Sequence, residues 1–87
     1  MEEEHALDLR GLKCPLPALL SRRHLARLPK GSTLTLFTSD PLAVVDIPHM
    51  CGREGHDLIE ARQAGSHHVF VIRAAGPDKV GGLRGGG

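Results

Sequence analysis

Four segments of the chain are predicted to be β-strands, and the first two alternate apolar and polar residues with a period of two, the pattern of a half-buried strand. The second of them is also rich in β-branched side chains, which favour strands. The last two flank residues 64–67, a short stretch typical of a hairpin turn. The predicted strands are residues 6–10, 33–38, 57–63 and 68–74.

Two helices are predicted between these strands, because prolines mark their starts and a proline or glycine follows their ends. The first helix should run from a cap at Cys14 to about Leu28. The second should run from a cap at Asp40 to about Glu54. Pro48 lies inside the second helix, so we expect a kink or a restart near it.

The order βαβαββ predicts the fold class. A strand–helix–strand unit makes the first two strands parallel, with a right-handed connection, and the closing hairpin is antiparallel. One face of the predicted sheet is more apolar than the other, so both helices should cover that face. We therefore expect an α/β fold over residues 1–75, a two-layer α/β sandwich with a mixed four-stranded sheet. Residues 76–87 contain six glycines and are expected to form a flexible tail.

Composition narrows the classes of protein that fit. The 87 residues, 40% of them hydrophobic and 24% charged, suit one small globular domain. No apolar run approaches a membrane span and the start does not resemble a signal peptide, so we expect a cytosolic monomer without membrane contact. The two cysteines should then be free thiols. Phe37 and Phe70 are the only large aromatic residues, so direct nucleic-acid binding is not expected.

The net charge of +1 conceals a basic block in the first helix and the segments beside it. Such a block, without an intervening acidic residue, favours an acidic partner surface, or else it is a solvated helix face. Its members are Arg10, Lys13, Arg22, Arg23, Arg27 and Lys30.

The helical period places Arg23 and Arg27 on one side of the first helix. Ala18, Ser21, Leu25 and Leu28 lie on the opposite side and are expected to pack on the sheet. Three leucines fall beside the arginines, where a partner would cover them, unless one or two pack against a neighbouring loop. They are Leu16, Leu19 and Leu20.

Cys14 is the candidate reactive residue. At a helix start, the dipole and the exposed amides stabilise a thiolate, and Arg10 and Lys13 add positive charge, so we expect a lowered thiol pKa. The alternative is a small buried hydrophobe. Cys51, beside Ile47 and Met50, has the more apolar setting and is expected to be unreactive.

A single thiolate without a chemical partner suits a sulfur carrier, which accepts a sulfur atom as a persulfide and passes it on. Position 17 is proline, so the Cys-x-x-Cys motif of thioredoxin-like enzymes is absent. No histidine is near Cys14 in the sequence, although the fold could bring one to it and form a Cys–His pair.

The segment Leu9-Arg10-Gly11-Leu12-Lys13-Cys14-Pro15-Leu16-Pro17 resembles the TusA/SirA/YedF sulfur-carrier family. Asp40-Pro41, Asp46-Ile47-Pro48 and Gly55-His56 are supporting landmarks, and the resemblance extends over about residues 7–74. It implies a sandwich like the C-terminal domain of translation initiation factor three.

The resemblance also implies that Cys14 receives sulfane sulfur from a cysteine desulfurase or a rhodanese. An acceptor protein in tRNA thiolation, molybdenum-cofactor synthesis or sulfur oxidation would take the sulfur, and no cofactor or metal is expected. The expected docking residues surround Cys14 and extend along the first helix. They are Arg10, Lys13, Pro15, Leu16, Pro17, Leu19, Leu20, Arg23 and Arg27.

Other functions remain open at this point. The protein could be a thiol-based regulator in which Cys14 is oxidised and no sulfur is carried. The terminal glycines, residues 85–87, resemble the thiocarboxylate end of ubiquitin-like carriers, although those have a different topology. His49, Cys51 and His56 have the side chains of metal ligands but not a compact zinc spacing. The basic helix could also belong to a nucleic-acid-binding module.

Overall fold

The computed structural model describes residues 4–76 and contains the six elements in the predicted order. Residues 77–87, most of the predicted tail, lie outside the described residues, so the tail stays a prediction. Gly76 is buried, so the packed part of the chain extends to this residue. The elements are β1 (Glu4–Leu9), α1 (Leu16–Leu25), β2 (Thr33–Thr38), α2 (Ala43–Glu54), β3 (Asp57–Ala64) and β4 (His67–Arg73).

The four strands form one mixed sheet in the order β1-β2-β4-β3. Strands β1 and β2 are parallel, whereas β4 is antiparallel to both of its neighbours, as the element order predicted. Because β1 and β2 are parallel, both end at the same edge of the sheet. The loops that lead into α1 and α2 therefore start side by side at this edge.

One face of the sheet carries the core. Leu34 faces Ile72 and Leu36 faces Phe70 across the β2–β4 pair, and all four side chains are buried. Both helices add buried side chains to the same cluster, among them Ile47 of α2. Burial of each such side chain contributes about 1.5–3 kcal/mol. The two-layer α/β sandwich is thus confirmed.

Helix α1 is shorter at both ends than the sequence predicts. It begins at Leu16, because Leu16 N–H donates to the carbonyl of Lys13 across a preceding turn at 2.8 Å. It ends at Leu25, and the next residues form a turn in which Leu28 N–H donates to the Leu25 carbonyl. Leu28 still packs in the core, from the turn rather than from the helix.

Helix α2 begins at Ala43, after a turn closed by a hydrogen bond from Ala43 N–H to the Asp40 carbonyl. The expected restart at Pro48 does not occur, and the helix is one element through this residue. Ile47 and Cys51 are buried on either side of Pro48, so core contacts hold both halves in place. Within residues 4–76, no helix is long and apolar enough to cross a membrane.

Candidate functional site

Cys14 lies exposed in the loop between β1 and α1, at the edge where the parallel strands end. Gly11 turns the chain after β1 with a φ of 89°, a left-handed conformation that glycine adopts without strain. Gly11 N–H donates to the Ser39 hydroxyl at 2.8 Å. This hydrogen bond joins the loop after β1 to the loop after β2.

Asp40 makes a second connection between the same two loops. Its Oδ2 accepts the N–H of Cys14 at 2.5 Å, and its Oδ1 accepts the N–H of Leu42 at 3.2 Å. One carboxylate thus satisfies an amide of each loop. The position of Cys14 relative to the start of α2 depends on this residue.

Asp46, in the first turn of α2, contacts the reactive atom itself. The Cys14 thiol donates to Asp46 Oδ2 at 2.7 Å. This hydrogen bond raises the pKa of Cys14, and partial burial and the negative charges of Asp46 and Asp40 raise it further. This arrangement stabilises the protonated thiol.

The predicted low thiol pKa of Cys14 is therefore wrong. Pro15, not Cys14, is the N-cap residue of α1, and this helix start has no side-chain cap hydrogen bond within the described residues. The Arg10 guanidinium donates to the Asp8 carboxylate at 2.9 Å, so its charge is paired there. The charged groups that shift the pKa of the thiol are the carboxylates of Asp46 and Asp40, and both raise it.

Cys14 opens into a groove of about 490 Å³ between α1 and α2. The groove is lined by apolar side chains and by charged side chains of both signs. Neither Arg22 nor Arg53 makes an ion pair with a carboxylate among residues 4–76. The lining residues of the groove are Cys14 and Pro15, Ala18, Leu19 and Arg22 of α1, and Asp46, His49, Met50, Arg53 and Glu54 of α2.

Exposed apolar side chains lie close in sequence to Cys14 and to Asp46, on α1 and around the start of α2. Leu16 and Leu19, on α1, are 43% and 39% exposed. Leu42, which lies one helical turn before Asp46, is 55% exposed, and Val45, directly before Asp46, is 65% exposed. We call these four residues the apolar rim. An apolar surface around an exposed thiol is typical of a place where another protein binds.

The structure divides the predicted docking residues between separate surfaces. Arg10, Lys13 and Pro15 are exposed near Cys14. Arg23 and Arg27 are also exposed, but they line a second groove of about 240 Å³ together with Leu20, on the β1 side of α1.

Two of the predicted docking residues face inward. Pro17 is fully buried, and its carbonyl accepts the hydroxyl of buried Ser21 at 2.6 Å, so its assignment to a partner surface is wrong. Pro17 falls on the core side because it lies one and two helical turns before buried Ser21 and Leu25, on the same side of α1. Leu20 is half-buried and packs against the core rather than against a neighbouring loop.

Cys51 is 2% exposed, and burial raises the pKa of its thiol to about 11. His49 lies on the exposed side of α2, and the Nδ1 atom of His56 accepts the N–H of Ala75 at 2.9 Å. Residues 4–76 contain no group of three side chains that could hold a metal ion. The interpretation of these three residues as a metal site therefore has no support in the described chain.

Sequence reasoning missed the contribution of α2 to the site. The sequence marks Asp40 as a helix cap and Asp46 as part of a landmark of the family resemblance, but it indicates no role for Leu42 or Val45. One signal was available, because Leu42 and Asp46 are four residues apart and share a side of the helix. The helical period alone did not show that this side faces Cys14.

Two comparisons with known proteins agree with this arrangement. The crystal structure of a SirA-like protein from Desulfitobacterium hafniense is similar to this chain, with a TM-score of 0.72 and 20% sequence identity. The match covers 82% of this chain and 97% of that chain, and it shows a common fold. The family described as sulfurtransferase TusA matches residues 5–74, which include nearly every described element and Cys14. This chain therefore belongs to the TusA sulfurtransferase family.

Proposed function

We propose that the protein is a sulfur relay that carries sulfane sulfur as a persulfide on Cys14. The observation that carries the proposal is the exposed Cys14 thiol at the mouth of a groove, within the apolar rim. Cys51 is enclosed in the core and is not accessible to a partner. Family membership supports sulfur transfer as the class of reaction.

The loading step needs no external oxidant. Cys14 loses its proton, and its sulfur attacks the outer sulfur of a persulfide on the donor protein. The donor's S–S bond breaks as a new S–S bond forms on Cys14, and the donor leaves as a thiolate that takes up a proton. Transfer to the acceptor repeats these steps with Cys14 as the leaving group.

The partners are donor and acceptor proteins that present a cysteine. A cysteine desulfurase or a rhodanese fits the donor role, because each forms a persulfide on its own cysteine. The apolar rim favours an apolar loop around that cysteine, and Arg22 and Arg53 favour carboxylates beside it. Acceptors in tRNA thiolation, molybdenum-cofactor synthesis or sulfur oxidation would use the same chemistry, and a free thiol fits the reducing cytosol.

A regulatory thiol that responds to oxidants fits the site less well. Oxidant-sensing cysteines react as thiolates and have a low pKa. The hydrogen bond from Cys14 to Asp46 raises the thiol pKa instead. A carrier differs from such a sensor because the bound partner can provide the proton acceptor at the moment of transfer.

The test is sulfur loading by a cysteine desulfurase with free cysteine, followed by mass measurement of the intact carrier. We expect the wild-type protein and Cys51→Ala to gain one sulfur atom, and Cys14→Ser to gain none. Cooperative unfolding of each variant checks that it is folded. Equal loading of folded Cys14→Ser would contradict the proposal.

A further inference from the structure

The contact between Cys14 and Asp46 depends on a hydrogen atom that only the empty carrier has. In the thiol, the Cys14 sulfur donates to Asp46 Oδ2 at 2.7 Å. In a persulfide, the same sulfur is bonded to a second sulfur and has no hydrogen to donate. At this distance its lone pairs would face those of the carboxylate oxygen, which is repulsive.

The charge of the loaded group increases this effect. A persulfide is a stronger acid than the corresponding thiol, so its outer sulfur is an anion at neutral pH. Asp46 and Asp40 are the carboxylates whose charges act on Cys14. Both disfavour a second negative charge beside them. Arg22 and Arg53, which line the groove together with Asp46 and Glu54, attract the same charge.

We propose that Asp46 holds the Cys14 side chain in the empty carrier and expels the persulfide from this position once sulfur is loaded. The inference rests on the proposed function above and assigns to Asp46 a role that depends on the loading state. The empty thiol is fixed against α2, and the loaded group turns away from Asp46 toward the guanidinium groups of Arg22 and Arg53 or toward solvent. Donor and acceptor proteins thus meet Cys14 in two different positions.

This arrangement also favours delivery of the sulfur. In the exchange with a thiol, the Cys14 persulfide anion and the free thiol become the Cys14 thiol and a persulfide anion on the other molecule. No net oxidation occurs, and one proton moves to Cys14. Asp46 stabilises the product thiol by a hydrogen bond and destabilises the starting persulfide by repulsion. Both effects shift the equilibrium away from the loaded carrier.

The test compares Asp46→Asn with the wild-type protein and with the control Asp57→Asn. Asp57 is an exposed carboxylate at the start of β3, paired in register with Arg73, so the control makes the same change in net charge away from the site. An asparagine at position 46 accepts a hydrogen bond from the thiol and donates one to the persulfide, without the charge. It therefore removes the preference for the empty carrier.

Each protein is equilibrated with a fixed ratio of glutathione persulfide to glutathione, and the loaded fraction is read from the mass of the intact protein. We expect the loading equilibrium constant of Asp46→Asn to exceed the wild-type value about tenfold, the size expected for loss of a charge-assisted hydrogen bond. The Asp57→Asn control should match the wild-type protein, and a folded Asp46→Ser variant should also load more fully.

An equilibrium constant for Asp46→Asn equal to that of the wild-type protein would overturn this inference while leaving the relay intact. Wild-type protein that takes up no sulfur at Cys14, by comparison with Cys14→Ser, would instead overturn the proposed function. The two failures are therefore distinguishable in one set of measurements.

Discussion

The two cysteines of this chain differ in access rather than in acidity. The thiol pKa of both is raised, by the Asp46 hydrogen bond at Cys14 and by burial at Cys51. Because neither environment favours the thiolate, the proposed relay requires a partner that reaches the exposed Cys14 thiol and accepts its proton.

The raised pKa of Cys51 predicts a loss of stability in alkali. The folded state holds this proton more tightly than the unfolded state, so the stabilisation is complete at neutral pH. It should be lost as the pH rises from about 9 to about 11, the usual and the folded pKa values of the thiol. Urea unfolding of the wild-type protein and Cys51→Ala across this range measures the effect. A decline equally steep in Cys51→Ala would assign it to other groups.

At the scale of elements, local signals predicted much of the fold. The β-branched and apolar pattern of β2 predicted its bounds correctly at residues 33–38. The helix starts were displaced, because Leu16 and Ala43 are preceded by turns that proline and aspartate signals do not distinguish from a first helical turn. The Cys14–Asp46 contact was not predictable, since it joins residues 32 positions apart through the packing of two helices.

The second groove, which Arg23 and Arg27 line on the β1 side of α1, should dock an acidic partner. Reversal of Arg23 and Arg27 to glutamate is expected to slow sulfur transfer from the donor protein, most strongly at low salt, because exposed charges mainly affect association. Reversal of Arg62 and Arg73, exposed on β3 and β4, is the charge-matched control. For each variant, the rate of sulfur transfer is compared with the rate at which a small reagent alkylates Cys14. A parallel loss of both would show that the arginines affect the thiol instead of docking.

Substitutions at two nearby positions of α2, one buried and one exposed, should affect stability and partner docking separately. Ile47 is fully buried, so Ile47→Ala is expected to lower the free energy of unfolding by about 2–5 kcal/mol. Val45 is exposed in the apolar rim, so Val45→Ala should change stability by less than about 0.5 kcal/mol and slow transfer from the donor protein. Chemical denaturation and transfer rates measure the two effects. Normal transfer by Val45→Ala would remove this residue from the docking surface.

At the scale of the whole molecule, the fold brings two loops together and leaves a reactive group at their junction. Strands β1 and β2 run in parallel, so the loops that follow them start at the same edge of the sheet. Helices α1 and α2 pack on one face of the sheet. Gly11, Ser39 and Asp40 then join the loops by hydrogen bonds. A small domain can hold an exposed thiol in a defined position in this way without enclosing it.

The terminal segment should not be needed for sulfur transfer. Truncation after Gly76 removes none of the described core, and Ala74 is held by hydrogen bonds with Gly31 and Ser32. We expect unchanged stability and unchanged loading of Cys14 without ATP. A carrier that used a terminal thiocarboxylate would require ATP and would lose all loading. A truncated protein that is folded but cannot be loaded would contradict the assignment of the sulfur to Cys14.

Release of sulfane sulfur from Cys14 tests the central claim most directly. The carrier is loaded by a cysteine desulfurase, separated from it and treated with cyanide, and the Cys14 peptide is analysed by mass spectrometry. One sulfur atom and two oxygen atoms add nearly the same mass, so mass alone does not distinguish a persulfide from an oxidised thiol. Cyanide distinguishes them, because it removes sulfane sulfur as thiocyanate but does not reverse oxidation. We predict that the added mass lies on Cys14 and is converted to an equal amount of thiocyanate. Added mass on Cys51, or mass on Cys14 that cyanide does not remove, would contradict the account.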